Sequence, residues 1–223
     1  MPENVTPLHD PKWRRLPEER PRQILLAAIE VFGENGIAGA KLEEIAARAG
    51  VSKGTIYLYF PSKEDLFREV VRQLLVPAIA AVERELVDGT AAEQLERYLR
   101  LHWAYFDGPA SAGWVRLVFT ELHKHPDLAQ FYFSEAIATS NRVLGDVIRR
   151  GTACGEFRPI DPVVAISMIK ATLLTHVLWS QAPMPQTLAA ARPRAELIDD
   201  IVDFVLHALR PVAPTSGEIP VAS

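Results

Sequence analysis

The segment Leu42–Phe67, LEEIAARAGVSKGTIYLYFPSKEDLF, constrains the fold of this chain more than any other part of it. Apolar side chains recur at helical spacing before Gly50, and Ser52 stands where a serine caps the start of a new helix. That second helix must end at Phe60, because the residue before Pro61 is driven out of the helical region. The segment therefore predicts two short helices joined by a glycine turn, which is the helix-turn-helix arrangement.

The second of these helices is too short to bury much surface, and its outward residues suit a DNA groove. In helix-turn-helix proteins this helix enters the major groove and presents its first residues to base edges. Ile56 and Phe60 lie one turn apart and are expected to face inward. The outward residues are hydroxyl side chains and lysines suited to phosphates, a glycine that permits close backbone approach, and a leucine that could contact a thymine methyl. The predicted DNA-contacting residues are Lys41, Ser52, Lys53, Gly54, Thr55, Tyr57, Leu58, Tyr59 and Lys63.

An alternative interpretation places Tyr57, Tyr59 and Phe60 in the packing of a helical bundle. Aromatic residues at helical spacing often belong to a core, and Tyr59 in particular could be mainly structural. The cap, the turn and the glycine around these residues favour the DNA-binding interpretation for the segment as a whole.

The run AGVSKGTIYLYFPSKEDL resembles the DNA-binding signature of the TetR family of ligand-responsive transcriptional regulators. The preceding run, RPRQILLAAIEVFGENG, is similar to the first helix of that family. The resemblance implies an all-α fold and a dimer that binds double-stranded DNA. One position departs from the family, which often has a threonine that caps the second helix and contacts phosphate. Ala40 and Lys41 stand there, so we expect a weaker cap and a phosphate contact from Lys41.

The charge distribution excludes a globally basic nucleic-acid-binding protein. The net charge is −4, and residues 1–68 contain ten basic and ten acidic side chains, so the rest of the chain carries the whole excess. DNA contacts must therefore depend on the placement of individual charges, with modest nonspecific affinity that falls as salt is added.

Cysteine usage and hydropathy favour a cytoplasmic protein without membrane association. Cys154 is the sole cysteine of the sequence, which excludes an intramolecular disulfide and suits a reducing compartment. The first residues contain no apolar signal-peptide core. The most apolar stretch, Val163–Gln181, is interrupted by Lys170 and His176, which indicates burial in protein and not in lipid.

Caps, prolines and periodicity predict an all-α chain of about nine helices in four regions. Residues 1–20 are predicted to be a flexible basic arm, either a solvated tail or an arm that reaches a minor groove. Residues 21–68 form the predicted three-helix head with the helix-turn-helix, and residues 69–210 form a helical ligand-binding and dimerisation domain. Residues 211–223 are predicted to be a disordered tail. Pro77 is expected to kink the helix that connects the two domains.

The two C-terminal helices are the predicted dimer surface. A single recognition helix contacts only a few base pairs, so helix-turn-helix proteins usually pair to bind two half-sites. The resemblance implies that two such helices from each subunit form a four-helix interface. The alternative is that both helices lie in the interior of a monomer. The predicted interface residues are Val163, Ile166, Leu174, Ile198, Ile201, Val202, Val205 and Leu209.

The resemblance also implies a small-molecule pocket in the second domain. Aromatic residues are concentrated there, and apolar walls with a few polar groups suit a small ligand. The charge balance of this domain does not favour an anionic ligand, so the expected effector is a small hydrophobic molecule. The predicted pocket residues are Trp103, Phe106, Phe119, His176 and Trp179.

No pattern in the sequence predicts catalysis, a cofactor or a metal site. His123 and His125 stand two apart, which on a helix points them away from each other, and no Cys or acidic cluster completes a ligand set. Nucleophile motifs and phosphate-cradling glycine loops are absent from the sequence. An enzyme is therefore not expected. The helix-turn-helix segment and the resemblance imply a ligand-responsive regulator, expected to be a repressor released from a palindromic operator by its effector. The alternatives are an activator of the same fold and a helical small-molecule-binding protein or enzyme without DNA binding.

Overall fold

A computed structural model describes residues 19–106, 109–180 and 193–211. Within these ranges every regular element is helical. The predicted tail beyond Pro211, and the predicted arm except for its last two residues, lie outside the described residues. The α-helical segments are α1 (Glu19–Gly39), α2 (Leu42–Arg48), α3 (Lys53–Tyr59), α4 (Lys63–Val70), α5 (Val76–Arg84), α6 (Ala91–Tyr105), α7 (Pro109–Thr120), α8 (Pro126–Tyr132), α9 (Ala138–Ala153), α10 (Pro162–Ser180) and α11 (Arg194–Leu209).

Two π-helical turns join neighbouring segments into longer helices. Val71–Leu75 connects α4 to α5, and Phe133–Ile137 connects α8 to α9. A short 3₁₀ turn, Leu122–Lys124, follows α7. Across the described residues the chain thus forms nine helices, of which α1 is interrupted by a non-helical residue at Gly36. This confirms the predicted all-α architecture. None of these helices has the length and apolar character needed to cross a membrane.

The helix starts follow from local sequence chemistry. Thr90 accepts a hydrogen bond from the backbone of Glu93, and the Glu93 carboxylate accepts one from the backbone of Thr90, so a complete capping box opens α6. The helix that contains Pro77, where a kink was expected, is irregular just before the proline. The distortion is a π turn in the residues before the proline, where the amide of Val76 bonds to the carbonyl of Val71. Proline has no amide to donate and crowds the preceding turn, and a wider turn relieves both effects.

Two large hydrophobic clusters form most of the core of the described residues, beside a small third one around Val115 and Val177. The first joins α1–α4 to residues from α7 and α8, with Phe32, Phe67 and Trp114 among its buried members. The second joins α6, α9, α10 and α11. The helix-turn-helix head therefore shares a core with α7 and α8, and the predicted boundary between residues 68 and 69 falls inside the continuous helix that contains α4 and α5.

Candidate DNA interface and effector cavity

The helix-turn-helix geometry follows from a few buried contacts and caps. Ile56 is fully buried and Phe60 nearly so, which confirms that both face inward. Ser52 accepts a hydrogen bond from the backbone of Thr55 at 3.1 Å and so caps α3. Gly50, with φ of 67°, adopts the left-handed conformation that the turn between α2 and α3 requires. These contacts fix one side of α3 against the head and leave the other side outward.

The outward side of α3 carries unusually exposed large side chains. Leu58 is 81% exposed, and Tyr57 and Tyr59 are each about 40% exposed. Lys53 and Gly54 are also exposed. Of the other predicted contact residues, Lys41 and Ser52 are exposed, whereas Thr55 and Lys63 are half-buried. Seven of the nine predicted contact residues are thus exposed in the described structure, and Leu58 has the largest exposed fraction given for the apolar ones.

Glu43 on α2 holds two of the predicted contact residues in place. Its carboxylate lies 2.7 Å from Nζ of Lys53 and accepts a hydrogen bond from the Tyr57 hydroxyl at 3.1 Å. The hydrogen bond from Lys53, followed by those from the backbone and from Tyr57, lowers the pKa of Glu43 to about 2. The sequence did not single out this residue. In the free protein the ammonium of Lys53 is therefore already paired, and any contact with phosphate must compete with Glu43.

The two remaining lysines occupy helix starts. Lys41 is the N-cap of α2 and makes no side-chain cap, which confirms the weakened cap expected from the missing threonine. Lys63 donates to the carbonyl of Ala38 at 2.8 Å and so ties the start of α4 to the end of α1. Because an ammonium has three donors, this bond leaves Lys63 able to bind an anion as well. Phosphate contacts at both lysines stay predictions.

A largely apolar cavity lies in the second domain and has a volume of about 410 Å³. Its size falls within the range of small-molecule sites. Residues from the helix of α4 and α5 and from α6–α10 contribute to its wall. The lining residues are Leu75, Ala78, Ile79, Val82, Tyr98, His102, Tyr105, Phe106, Trp114, Val115, Val118, Phe119, Tyr132, Phe133, Ala136, Ile137, Ser140, Val143, Lys170 and Leu174.

The predicted pocket residues divide between the cavity wall and the protein interior. Phe106 and Phe119 line the cavity. Trp103 and His176 do not; their rings pack edge to face with centroids 6.1 Å apart. Trp103 lies in the second hydrophobic cluster, because the side of α6 that faces the cavity carries other residues of the same helix. The side chain of Trp179 lies outside the described part of the chain.

A polar cluster at one side of the cavity was missed by sequence reasoning. The ammonium of Lys170 donates to Ser140 at 3.0 Å and to Asn141 at 2.6 Å, and the Tyr98 hydroxyl lies 3.4 Å from Ser140. Burial, followed by the positive charge of Lys170, lowers the pKa of His102 to about 3, so its imidazole is neutral at pH 7. The signal that could have revealed this cluster is Lys170 itself, a charged residue in the middle of an otherwise apolar helix.

Most of the predicted dimer residues lie inside the subunit and not on its surface. Ile166, Ile198, Ile201, Val202, Val205 and Leu209 are buried within the subunit, Leu174 is half-buried, and Val163 is 69% exposed. The apolar stripe of α11 packs in the second cluster with α6, as its buried residues show. Among the described side chains of α10 and α11, the large apolar ones that face outward are Val163, Val164, Met168 and Phe204.

A chain of aromatic rings connects the head to the cavity. Phe32 and Phe67 pack edge to face in the head core, and the ring of Phe67 stacks on Trp114 with centroids 5.1 Å apart. Trp114 in turn lies 6.2 Å from Tyr132, and both line the cavity. A molecule in the cavity therefore touches side chains that pack directly against the DNA-binding head.

The exposed recognition helix and the cavity in a separate helical domain define a ligand-binding helix-turn-helix regulator. Comparison with known families agrees: the model for bacterial regulatory proteins of the tetR family matches residues 24–70. The model for the tetracyclin repressor-like C-terminal domain matches residues 87–205, which is more than half of the chain. The chain belongs to the TetR family of bacterial transcriptional regulators.

The chain is similar to transcriptional regulators over most of their length. The HTH-type transcriptional regulator RutR of Escherichia coli (strain K12) is 28% identical over 206 residues, covering 90% of this chain and 95% of RutR. The HTH-type transcriptional repressor KstR2 of Mycolicibacterium smegmatis is 29% identical over 166 residues, covering 73% of this chain and 80% of KstR2. The structure of FadR from Bacillus subtilis in complex with stearoyl-CoA shares the fold, with a TM-score of 0.70, 24% identity and coverage of 85% of this chain and 99% of FadR.

No cluster of three or more His, Cys, Asp or Glu side chains with the arrangement of a metal site occurs in the described ranges. The two histidines that flank Lys124 lie in and just after the 3₁₀ turn that follows α7.

Proposed function

We propose that this regulator is a homodimeric repressor that binds a palindromic operator and is released by a small, largely apolar effector bound in the cavity. The observation that carries the proposal is that the cavity and the DNA-binding head share side chains of one hydrophobic core. Trp114 belongs to that core and also lines the cavity. Occupancy of the cavity can therefore change how the head is held.

The DNA-binding step follows from the outward side of α3. The exposed Leu58 suits contact with a thymine methyl, and the hydroxyls and lysines around it suit phosphates and base edges. Gly54 leaves the backbone uncovered at the start of α3, since a Cβ there would meet no atom nearer than Ser52 Oγ at 3.8 Å. The chain can thus come close to the floor of the groove at this point.

Dimerisation would place two such heads on neighbouring half-sites. The outward apolar residues of α10 and α11 supply the surface: Val163 and Met168 are each more than 60% exposed, and so is Phe204. Apolar residues of this size on adjacent helices favour burial against a second subunit. A two-fold dimer uses the same patch on both subunits, which matches a palindromic operator.

The effector class is supported by the cavity wall and by the relatives. Most of the lining side chains are aliphatic or aromatic, which suits an apolar body. FadR from Bacillus subtilis was solved in complex with stearoyl-CoA, a molecule with a long apolar chain. KstR2 is named a transcriptional repressor, and we propose that this chain also represses transcription.

Release of DNA would be a shift between two populations of the dimer. An effector changes this equilibrium only if it binds the DNA-free arrangement more tightly than the DNA-bound one. Two elements reach from the cavity to the head: the helix of α4 and α5, with Leu75 and Ile79 at the cavity, and α7, with Trp114. A change in the cavity that tilts either element would alter the spacing of the two recognition helices.

Fluorescence anisotropy with duplexes from the genomic neighbourhood of the gene tests the proposal. We expect saturable binding at low salt, with protection of two half-sites in a footprint. Leu58→Ala should weaken this binding on the order of tenfold, the scale of one lost base contact. Val87→Ala is the matched control, because Val87 is also highly exposed but lies in the connection between α5 and α6, outside the helix-turn-helix. Absence of binding to every such duplex would sink the proposal.

The repressor direction has its own test. A reporter gene placed behind the bound duplex should be expressed more strongly in a strain that lacks the regulator than in one that contains it. Lower expression in the strain without the regulator would show an activator.

A further inference from the structure

Lys170 brings a positive charge to the wall of an otherwise uncharged cavity. The described lining residues include no aspartate or glutamate, and His102 is neutral at pH 7. Lys170 lies in the middle of α10 and is largely shielded from solvent. Its charge therefore dominates the electrostatics of the cavity.

The neighbours of Lys170 hold the ammonium without neutralising it. Ser140 and Asn141 accept two of its hydrogen bonds, and both acceptors are uncharged. Among the residues that the structure describes, no carboxylate forms an ion pair with Lys170. An ammonium has three donors, so at least one remains for another acceptor. Burying a charge without a counter-ion is costly, and a bound anion would remove that cost.

Lys170 keeps its positive charge at neutral pH. Burial lowers the pKa of Lys170 to about 8, and the group therefore remains mostly protonated at neutral pH. The Tyr98 hydroxyl and the Ser140 hydroxyl lie on the same side of the cavity, so the polar groups converge on one end of an apolar space.

We propose that the effector is an organic carboxylate whose acid group pairs with Lys170 while its apolar body lies along the aromatic wall formed by Trp114, Phe119 and Tyr132. This inference rests on the proposed function and specifies the ligand class for the same cavity. It reverses the expectation drawn from the charge balance of the whole domain. The charge that a ligand meets is that of its immediate wall, and here the wall is positive.

Calorimetric titration with matched pairs of ligands tests the inference. The probes are decanoate against 1-decanol, and 2-naphthoate against 2-naphthalenemethanol, so that each carboxylate has a neutral analogue with the same body. The full-length wild-type protein should bind at least one carboxylate about tenfold or more tightly than its alcohol, the scale of a charge-assisted hydrogen bond. In Lys170→Met this preference should disappear, with binding of the alcohol retained.

Two further variants separate charge from packing. Lys124→Met removes a lysine outside the cavity wall and should leave the carboxylate preference unchanged. Lys170→Arg keeps the charge and should retain part of the preference. Equal affinity of each acid and its alcohol for the wild-type protein would overturn the inference, as would failure of both acids to bind or an unchanged preference in Lys170→Met.

Operator binding by the same protein samples is measured separately. A protein that binds the carboxylates through Lys170 but no duplex would retain the ligand assignment and lose the proposed regulatory role. A protein that binds operator DNA but shows no acid preference would retain the role and lose the assignment.

Discussion

Gly33 and Gly113 bring the backbones of α1 and α7 into direct contact. A Cβ built on Gly33 would lie 2.9 Å from Cα of Gly113, closer than such atoms normally approach. The guanidinium of Arg116, one turn further along α7, donates to the carbonyl of Gly33 at the same crossing. The head is thus joined to a wall of the effector cavity by a backbone contact. A residue with a side chain in place of Gly33 would require the two helices to move.

Replacing either glycine at the α1–α7 crossing with alanine should destabilise the protein, and Gly33→Ala should destabilise it more than Gly113→Ala. Gly33→Ala places a methyl against backbone that cannot turn aside, so we expect a loss of about 1–3 kcal/mol in the free energy of unfolding. In Gly113→Ala the nearest atom lies at 3.3 Å, and the greater helix propensity of alanine offsets part of the strain. Urea denaturation measures both. Gly39→Ala is the control, because its nearest neighbour would lie at an ordinary 3.6 Å. Equal stability of the Gly33 and Gly39 variants would contradict the close contact.

Gly54→Ala should separate DNA affinity from stability. A Cβ at this position makes only an ordinary contact, with Ser52 Oγ at 3.8 Å, and alanine favours the helix, so the unfolding free energy should stay the same or rise by less than about 1 kcal/mol. Operator affinity should fall on the order of tenfold, because the methyl would stand between the backbone of α3 and the groove. Anisotropy and urea denaturation on the same sample check this. Undiminished affinity would show that the backbone at Gly54 does not approach DNA.

Removing the Glu43 carboxylate should strengthen nonspecific DNA binding. Glu43→Gln frees Lys53 from its ion pair and removes a negative charge beside α3. We expect higher affinity and a steeper dependence on salt, by about 0.9 in the slope of log K against log salt for one additional phosphate contact. Glu44→Gln is the matched control, since Glu44 pairs with Asn35 and Arg48 of the head and has no contact with α3 in the described structure. The same slope in wild type and Glu43→Gln would show that the ion pair with Glu43 does not keep Lys53 from a phosphate, and would contradict this prediction.

Helix positions and the orientation of α3 were predictable because local chemistry determines them. The second short helix was expected to end at Phe60, and α3 occupies Lys53–Tyr59 with Phe60 as its C-cap. Ser52, Gly50 and Pro61 set the ends of the two short helices, and hydrophobic spacing identified Ile56 as inward. Each of these features depends on residues that are near in sequence.

The partner of a buried side chain was not predictable in the same way. Ile201 and Val205 were identified correctly as an apolar stripe, but periodicity does not show whether the stripe is covered by the same subunit or by a second one. Trp103 is aromatic and follows the cavity-lining His102 in sequence, yet its side chain lies on another side of α6 and packs in the second cluster. The role of Glu43 was missed because its contacts with Lys53 and Tyr57 depend on how α2 and α3 cross.

His102 should make the protein sensitive to acid. Its ring stacks on Tyr98, packs edge to face with Phe106 and lies near the charge of Lys170. The pKa of His102 is about 3 in the folded chain against an ordinary value of 6.5, so between these values the unfolded chain binds more protons. The free energy of unfolding must therefore fall as the pH is lowered from 6.5 towards 3.

His102→Gln should remove this part of the acid sensitivity. At pH 5 the effect is on the order of 1–2 kcal/mol, from the difference in pKa between the two states. Urea midpoints at pH 7.5 and 5 measure it in the wild type, in His102→Gln and in His123→Gln, where the histidine is exposed. The loss between the two pH values should be smaller in the His102 variant and unchanged in the His123 variant. An equal loss in all three proteins would mean that His102 takes up its proton in the folded state and that the cavity carries a second positive charge beside Lys170.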